Sequence, residues 1–277
     1  MTETTQEWDK AAPDYQRVYR LGLNEYNTRL LRFWEESGML FPGARVLDIG
    51  CGVGKYGTWL AELGYDVTLT DISGEMLRHA EENMARFRTP WTVYQCDFNE
   101  VTGREPFFAK GFDLTISTMS PAIHNAETVR KMSAMTRGVC FLARFSAWEQ
   151  PFRDTLMRRM GLEPRQLHGD MKKDCDAVIR AASEAGFTPQ LRVVDYNWSD
   201  ERTPEEMADY LIRRYFAEDA NAEEIRAAAL RASRELADPS GLVRDMVNTK
   251  VAWIWWPTKL NGEPKAEKQG KSLTCTG

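Results

Sequence analysis

Asp48-Ile49-Gly50-Cys51-Gly52-Val53-Gly54 places three alternate glycines directly behind a carboxylate, and two further carboxylates, Asp71 and Asp97, recur downstream. Glycines in such a loop let the backbone approach a bound molecule that any Cβ would hold off. A helix opening just after them presents free N–H groups to a negatively charged group. A phosphate-binding loop would need GxxxxGK[ST]; here Lys55 comes one residue early and Tyr56 stands where a hydroxyl residue belongs. The dinucleotide fingerprint GxGxxG is present as Gly52-Val53-Gly54-Lys55-Tyr56-Gly57, with Asp71 at a suitable distance for a ribose. That reading leaves Asp48 without a role. The histidines are His79, His124 and His168, and the cysteines Cys51, Cys96, Cys140, Cys175 and Cys275 are widely spaced. No Cys/His cluster has metal-ligand spacing, so no metal site is expected, and the thiols are expected to be reduced.

These residues fall where a strand meets the helix that follows it. Residues 5–40 read as one or two helices carrying Trp8, Tyr15, Tyr19, Leu23, Tyr26, Leu30 and Trp34 at mostly helical spacing, closed by the Phe41-Pro42-Gly43 turn. Strict alternation follows: strands at 44–49, 66–70, 91–95, 112–117 and 139–144, with helices at 55–63, 74–87 and 126–135. Such alternation predicts an α/β fold with a doubly wound, mostly parallel sheet. Beyond it, helices are expected at 148–160 and 172–185 and strands at 190–198 and 251–256. A helical insertion is expected over 203–237, opened by Thr203-Pro204-Glu205-Glu206. The domain reading is a helical cap over 1–40, a main domain over 41–257 containing the insertion as a lid, and a disordered polar tail over 258–277.

The chain has 277 residues, enough for one large domain with a cap, and a formal charge of 36 − 41 = −5. That balance supplies no overall basic field for nucleic acid or an anionic membrane. The acidic, polar N-terminus does not fit a signal peptide, and no apolar run approaches the ~18–20 residues needed to cross a bilayer. A cytoplasmic monomer or homodimer is expected.

Val46-Leu47-Asp48-Ile49-Gly50-Cys51-Gly52-Val53-Gly54 resembles the first motif of the class I S-adenosylmethionine (SAM)-dependent methyltransferases, in which an apolar strand ends in D/E-x-G-x-G-x-G. Asp71-Ile72-Ser73-Gly74-Glu75-Met76-Leu77 resembles the family's second motif. The resemblance covers roughly residues 8–145. It implies a Rossmann-like seven-stranded sheet whose strands 190–198 and 251–256 are the sixth and seventh, one of them antiparallel. It further implies that Asp48, Gly50, Cys51, Gly52 and Gly54 cradle SAM and that Asp71 accepts from both ribose hydroxyls, with Ile72 and Met76 beside it. Asp97 would hold the adenine amino group next to Phe98, and Ser117 and Thr118 would close the site at the fourth strand end. S-adenosylhomocysteine (SAH) would be the product.

The acceptor is less legible. Trp8-Asp9-Lys10-Ala11-Ala12-Pro13-Asp14-Tyr15 resembles the F-D-x-x-A-x-x-Y start of small-molecule members, departing by Trp for Phe and by one extra residue. In relatives this segment folds over the cofactor, so Tyr15 and Tyr19 are placed to close the site, and the same aromatics also suit simple packing of a cap. Ser120-Pro121-Ala122-Ile123 is a displaced half match to the [DNS]-P-P-[YF] of enzymes that methylate bases or glutamine, without the stacking aromatic. This argues against base methylation. Methyl transfer from a sulfonium is an in-line displacement in which positioning carries much of the catalysis, although an alcohol or phenol acceptor needs a base. His124, beyond the fourth strand, is the best-placed base, and Tyr15 is the other candidate catalytic residue. Arg144, Trp148, Tyr196 and Trp198 are candidates to line the acceptor pocket, and Arg144 would suit an anionic acceptor. The expected activity is methyl transfer to a small molecule. The alternatives are methylation of protein or RNA, a non-catalytic SAM-binding regulator and, more distantly, a nicotinamide oxidoreductase.

Overall fold

A computed structural model describes residues 5–19, 24–102, 105, 108, 111–165 and 169–258. The centre of the sheet is built from the most apolar short runs. Strands β1 (Arg45–Ile49), β2 (Asp66–Asp71), β3 (Trp91–Gln95), β4 (Phe112–Thr118) and β5 (Thr136–Glu149) pair in parallel in the order β3-β2-β1-β4-β5. Every residue of β4 is buried, as a strand covered on both faces requires. The chain winds outward from β1 through β2 to β3, then returns to lay β4 on the other side of β1. The carboxyl ends of β1 and β4 therefore flank the switch point of the topology, where open α/β sheets bind ligands.

Helices α1 (Thr5–Tyr19), α2 (Glu25–Glu36), α3 (Lys55–Glu62) and α4 (Gly74–Met84) precede the helices of the other face, α5 (Ala126–Ala134) and α7 (Met171–Glu184). Tyr26, Leu30 and Trp34 of α2 join Leu60 of α3 and Leu77, Ala80 and Met84 of α4 in one core cluster. Val129 and Met132 of α5 and Val178 and Ala182 of α7 form the second, against Leu47, Ile49 and Trp256. Asn24 opens α2 in a reciprocal side-chain box with Asn27, which satisfies the first free N–H groups of the helix.

The second half departs from the expected pattern in three places. The stretch 190–198 is two strands, β6 (Gln190–Asp195) and β7 (Trp198–Arg202), so the sheet has eight strands rather than seven. Asn197 causes the break: its side-chain oxygen takes the Thr249 N–H at 2.9 Å, a donor that a continuous ladder would use. The final strand, β8 (Val243–Pro257), runs antiparallel to β5, β6 and β7 and is much longer than 251–256. Finally, Trp148 and Glu149 lie in β5 and pair with Thr249 and Asn248, so the next helix, α6 (Pro151–Arg159), starts only at Pro151. Proline at a first helical turn costs no hydrogen bond and fixes that start.

The β5, β7 and β8 extensions form the floor of a separate cluster. On it sit α6, α8 (Pro204–Leu211), a single π-helical turn (Ile212–Phe216) and α9 (Ala222–Leu236), packed through Leu156, Met207, Leu211, Phe216 and Ala229. Thr203 caps α8 in the expected box with Glu206, and Pro204 holds the first turn. Among the described residues no helix is long and apolar enough to cross a membrane. The expected tail from Lys259 onward, together with His168 and Leu23, lies outside the described residues.

Candidate active site

The glycine loop leaves β1 with Gly50, Gly52 and Gly54 at φ +70°, +54° and +78°. Gly50 and Cys51 both donate to the Thr70 carbonyl, at 2.8 and 3.0 Å, which pins the loop to the end of β2. The glycines differ in what they make room for. A Cβ on Gly50 would lie 2.0 Å from Ser120 Oγ and 2.7 Å from Ser120 Cβ, so Gly50 accommodates the loop after β4. At Gly54 the near neighbour is Ala80 of α4, at 3.2 Å. Gly52 meets only Met76 Sδ at 3.9 Å and faces open space. Gly50→Ala is thus expected to destabilise the fold by about 2–5 kcal/mol, adding a left-handed backbone cost of roughly 1–2 to overpacking of roughly 1–3. Gly52→Ala carries only the backbone part. A denaturant titration of both variants checks the difference.

Asp71 ends β2 beneath that loop, buried to 8% exposure. Gly52 N donates to its Oδ2 at 2.8 Å and Ser73 N to its Oδ1 at 2.9 Å. Burial raises the Asp71 proton affinity, and the backbone donors Ser73, Gly52 and Ile72 oppose it. Each oxygen keeps a lone pair for a further donor. Asp97 follows β3, its Oδ1 fixed by Asn99 N at 2.8 Å and Asn99 Nδ2 at 2.9 Å, beside the buried Phe98.

Helix α1 is tied over the loop by residues that carried little or no sequence signal. Asp9 Oδ1 accepts from Ser73 Oγ at 2.5 Å and from Glu75 N at 3.3 Å, at the start of α4. Gln16 and Asn83 exchange two side-chain hydrogen bonds of 2.9 Å, and Asn83 Nδ2 also reaches the Val53 carbonyl at 2.9 Å. Asp9 belongs to the Trp8–Tyr15 text, which was the available hint. Nothing local marks the Gln16–Asn83 pair.

Under this roof lies a cavity of about 900 Å³. Of the expected cofactor residues, Tyr15, Tyr19, Gly50, Cys51, Gly52, Asp71, Ile72, Met76, Asp97, Phe98 and Thr118 line it. Asp48, Gly54 and Ser117 stand behind its wall. Asp48 is fully buried and neither carboxylate oxygen has a hydrogen-bond partner among the described residues. Burial, reinforced by the Asp71 charge, pushes its carboxyl up to about 8. Ser117 Oγ is likewise buried without a partner. Lys55, not foreseen, also borders the cavity; burial lowers its proton affinity and its ammonium lies 5.4 Å from the Trp59 ring centre.

Tyr56, Phe145, Tyr196, Met119, His124 and Asp174 also line the cavity. Tyr196 stacks on Tyr26 at 4.4 Å and lies nearly parallel to Phe145 at 6.3 Å. Its hydroxyl accepts from Asn24 Nδ2 at 2.9 Å, which fixes the ring. Burial raises the Tyr56 hydroxyl well above its ordinary value, and Tyr26 and Tyr196 add to the shift. His124 is exposed on the rim, with Nε2 3.1 Å from Asn125 Nδ2. Trp148 and Trp198 do not line the cavity; they meet edge-on at 5.1 Å and buttress Phe145 and Tyr196 from behind. Arg144 borders an adjoining chamber instead.

Residues 46–139 match the family model of a methyltransferase domain, a stretch that runs from β1 into β5 and contains Asp48, the glycine loop, Asp71 and Asp97. A protein of Bacillus subtilis (strain 168), designated methyltransferase YqeM, is 39% identical over 70 residues, covering 25% of this chain and 28% of that protein. The ribosomal RNA small subunit methyltransferase C of Alcanivorax borkumensis is 35% identical over 98 residues, covering 35% and 30%. The match thus spans less than a third of either relative's length. In fold, the chain is similar to phosphoethanolamine N-methyltransferase 2 of Haemonchus contortus, solved with phosphomonomethylethanolamine and SAH. The TM-score is 0.50 at 16% identity, over 92% of this chain and 60% of that one.

Proposed function

We propose that this chain, which carries a Rossmann-like SAM-dependent methyltransferase domain, transfers a methyl group from SAM to a small-molecule acceptor in the cavity beneath α1. The observation that supports this best is the continuity of the cavity: the wall that holds Gly52, Asp71 and Asp97 and the aromatic wall of Tyr56, Phe145 and Tyr196 bound one half-open space.

The donor wall fits a nucleoside bearing an amino acid. Asp71 has two buried oxygens with acceptor capacity for a pair of vicinal hydroxyls, and Gly52 leaves open the space a Cβ would fill. Asp97 and Phe98 offer an acceptor and a ring face for the base, and Lys55 offers a cation for a carboxylate. Bound SAM supplies an electrophilic methyl on a sulfonium. The chain's own part is positioning: Tyr56, Phe145 and Tyr196 hold the acceptor body, and Trp8, Tyr15 and Tyr19 exclude water from above. His124 takes the proton when the nucleophile is a hydroxyl. Residues 1–40 act as the cap; the 203–237 insertion lines no part of this cavity and acts as a lid only on the adjoining chamber, which Arg214 borders.

Incubating the full chain with methyl-labelled SAM and a cell extract, then separating products by size, tests the acceptor class. Label in the small-molecule fraction is expected. Label confined to RNA or protein would overturn the small-molecule reading, and label in no fraction would overturn the transfer itself.

A further inference from the structure

Next to the main cavity lies a second chamber of about 600 Å³, and the two share Trp8, Tyr15, Met119, Ser120, Pro121, Phe145 and the acidic residue Asp174 along their boundary. Its inner wall contains Arg144 of β5, one residue past the last pairing with β4 at Ala143 and opposite Ala252 of β8. One arm of the guanidinium, Nη2, donates to the Ile123 carbonyl. Nε is buried and has no partner among the described residues, and no described carboxylate forms an ion pair with this arginine. The contrast with Arg153 is instructive: that buried guanidinium is held by Asp245 at 2.6 Å.

A desolvated cation with an idle donor is costly, and structures keep one where something brings the matching charge. Burial depresses the Arg144 proton affinity, and Cys175 and Asp174 oppose that shift. The other charged groups around the chamber are Glu7, Asp14, Asp174 and Arg214, all exposed. Asp14 faces Arg17 at 3.7 Å, and Asp174 sits in the first turn of α7, whose positive end suits it. The three carboxylates are thus exposed to solvent, which screens their field, while Arg144 is half-buried in the wall.

We propose that Arg144 is the anion-binding residue of the acceptor site, and that the acceptor carries a carboxylate or phosphate seated on its unused donors. Its apolar body would lie on Phe145, Trp8 and Tyr15, with the nucleophile directed back toward the donor wall. The forked guanidinium suits either oxyanion. This rests on the methyltransferase reading for the word acceptor; the anion site itself does not.

The test uses the full chain, alone and loaded with SAH, and three probes: benzoate, phenyl phosphate and neutral benzyl alcohol, followed by saturation-transfer NMR and titration. At least one anionic probe is expected to bind, and benzyl alcohol to bind at least about tenfold more weakly. Which anion wins tells carboxylate from phosphate. Arg144→Met should weaken the winning probe about tenfold or more, as expected for hydrogen bonds to a charged group, while SAH binding is unchanged. Its melting temperature should hold, because the lost bond to the Ile123 carbonyl is offset by removal of a half-buried charge without a counter-ion. Arg144→Lys should retain part of the binding. Equal binding of all three probes, or of the anion by wild type and Arg144→Met, overturns the proposal. A fall in melting temperature with probe binding unchanged would assign Arg144 to holding the Ile123 loop. Failure to bind SAH with anion binding intact would instead overturn the methyltransferase reading and leave the anion site standing.

Discussion

Asp71→Ala is expected to weaken SAH binding by a hundredfold or more, measured by calorimetry. Two hydrogen bonds from ribose hydroxyls to a buried carboxylate would be lost together, and each bond to a charged group contributes roughly 1.5–3 kcal/mol. Even the lower end of that sum, about 3 kcal/mol, corresponds to a factor of more than 100. The substitution also orphans the Gly52 and Ser73 N–H groups, which hold the loop and the start of α4. A modest loss of stability, about 1–3 kcal/mol per unsatisfied group, should accompany it. Asp71→Asn keeps only one of the two acceptors and turns an NH2 donor toward the other backbone N–H, so stability and binding should each recover only in part. Retention of wild-type SAH affinity by Asp71→Ala would remove the residue from the site.

The second large effect lies in the insertion. Asp245, fully buried in β8, holds Arg153 of α6 at 2.6 Å and Arg202 of β7 at 3.1 Å. Arg153 also donates to the Tyr215 hydroxyl at 3.0 Å, which donates in turn to Gln150 at 2.6 Å, and both arginines lie over the Tyr210 ring. One carboxylate therefore secures α6, α8, the π-helical turn and the β7–β8 ribbon. Asp245→Ala leaves Arg153 buried without its counter-ion, at an expected cost of about 3–5 kcal/mol. Adding Arg153→Met should return part of that, since the stranded charge goes with it. Hydrogen exchange should localise the loosening to 151–160 and 198–250, with β1, β2 and β4 protected as in wild type. Uniform loosening of the sheet would show that the insertion is not a separable packing unit.

The first half of the fold was readable because each element there is a short apolar run closed by a turn signal. Strands 91–95 and 112–117 and the helix starts at Lys55, Gly74 and Ala126 coincide with the structure to within a residue. In the second half the helices expected at 172–185 and over 203–237 are also found, but the strand from Val243 to Lys250 was missed, for an identifiable reason. In Val243-Arg244-Asp245-Met246-Val247-Asn248-Thr249-Lys250 the buried positions are Val243, Asp245, Val247 and Thr249. A buried aspartate breaks the apolar alternation that marks a strand, and only the distant Arg153 and Arg202 explain it. The ends of β1 and β4 show a different limit. Thr118 faces the cavity while Ser117 is buried behind it, because neighbouring strand residues point to opposite faces. A motif lists both; only the pleat separates them. The glycine loop shows the same thing, since Gly50 and Gly54 make room for Ser120 and Ala80, and Gly52 alone is left facing open space.

Calorimetric titration of the wild-type chain with SAH, with NAD titrated separately, addresses the central claim most directly. Saturable one-site binding of SAH and no heat with NAD is the predicted result. Binding of NAD with none of SAH would contradict the account, because Asp71 and the loop would then be serving the dinucleotide fingerprint Gly52–Gly57 that the same residues also satisfy.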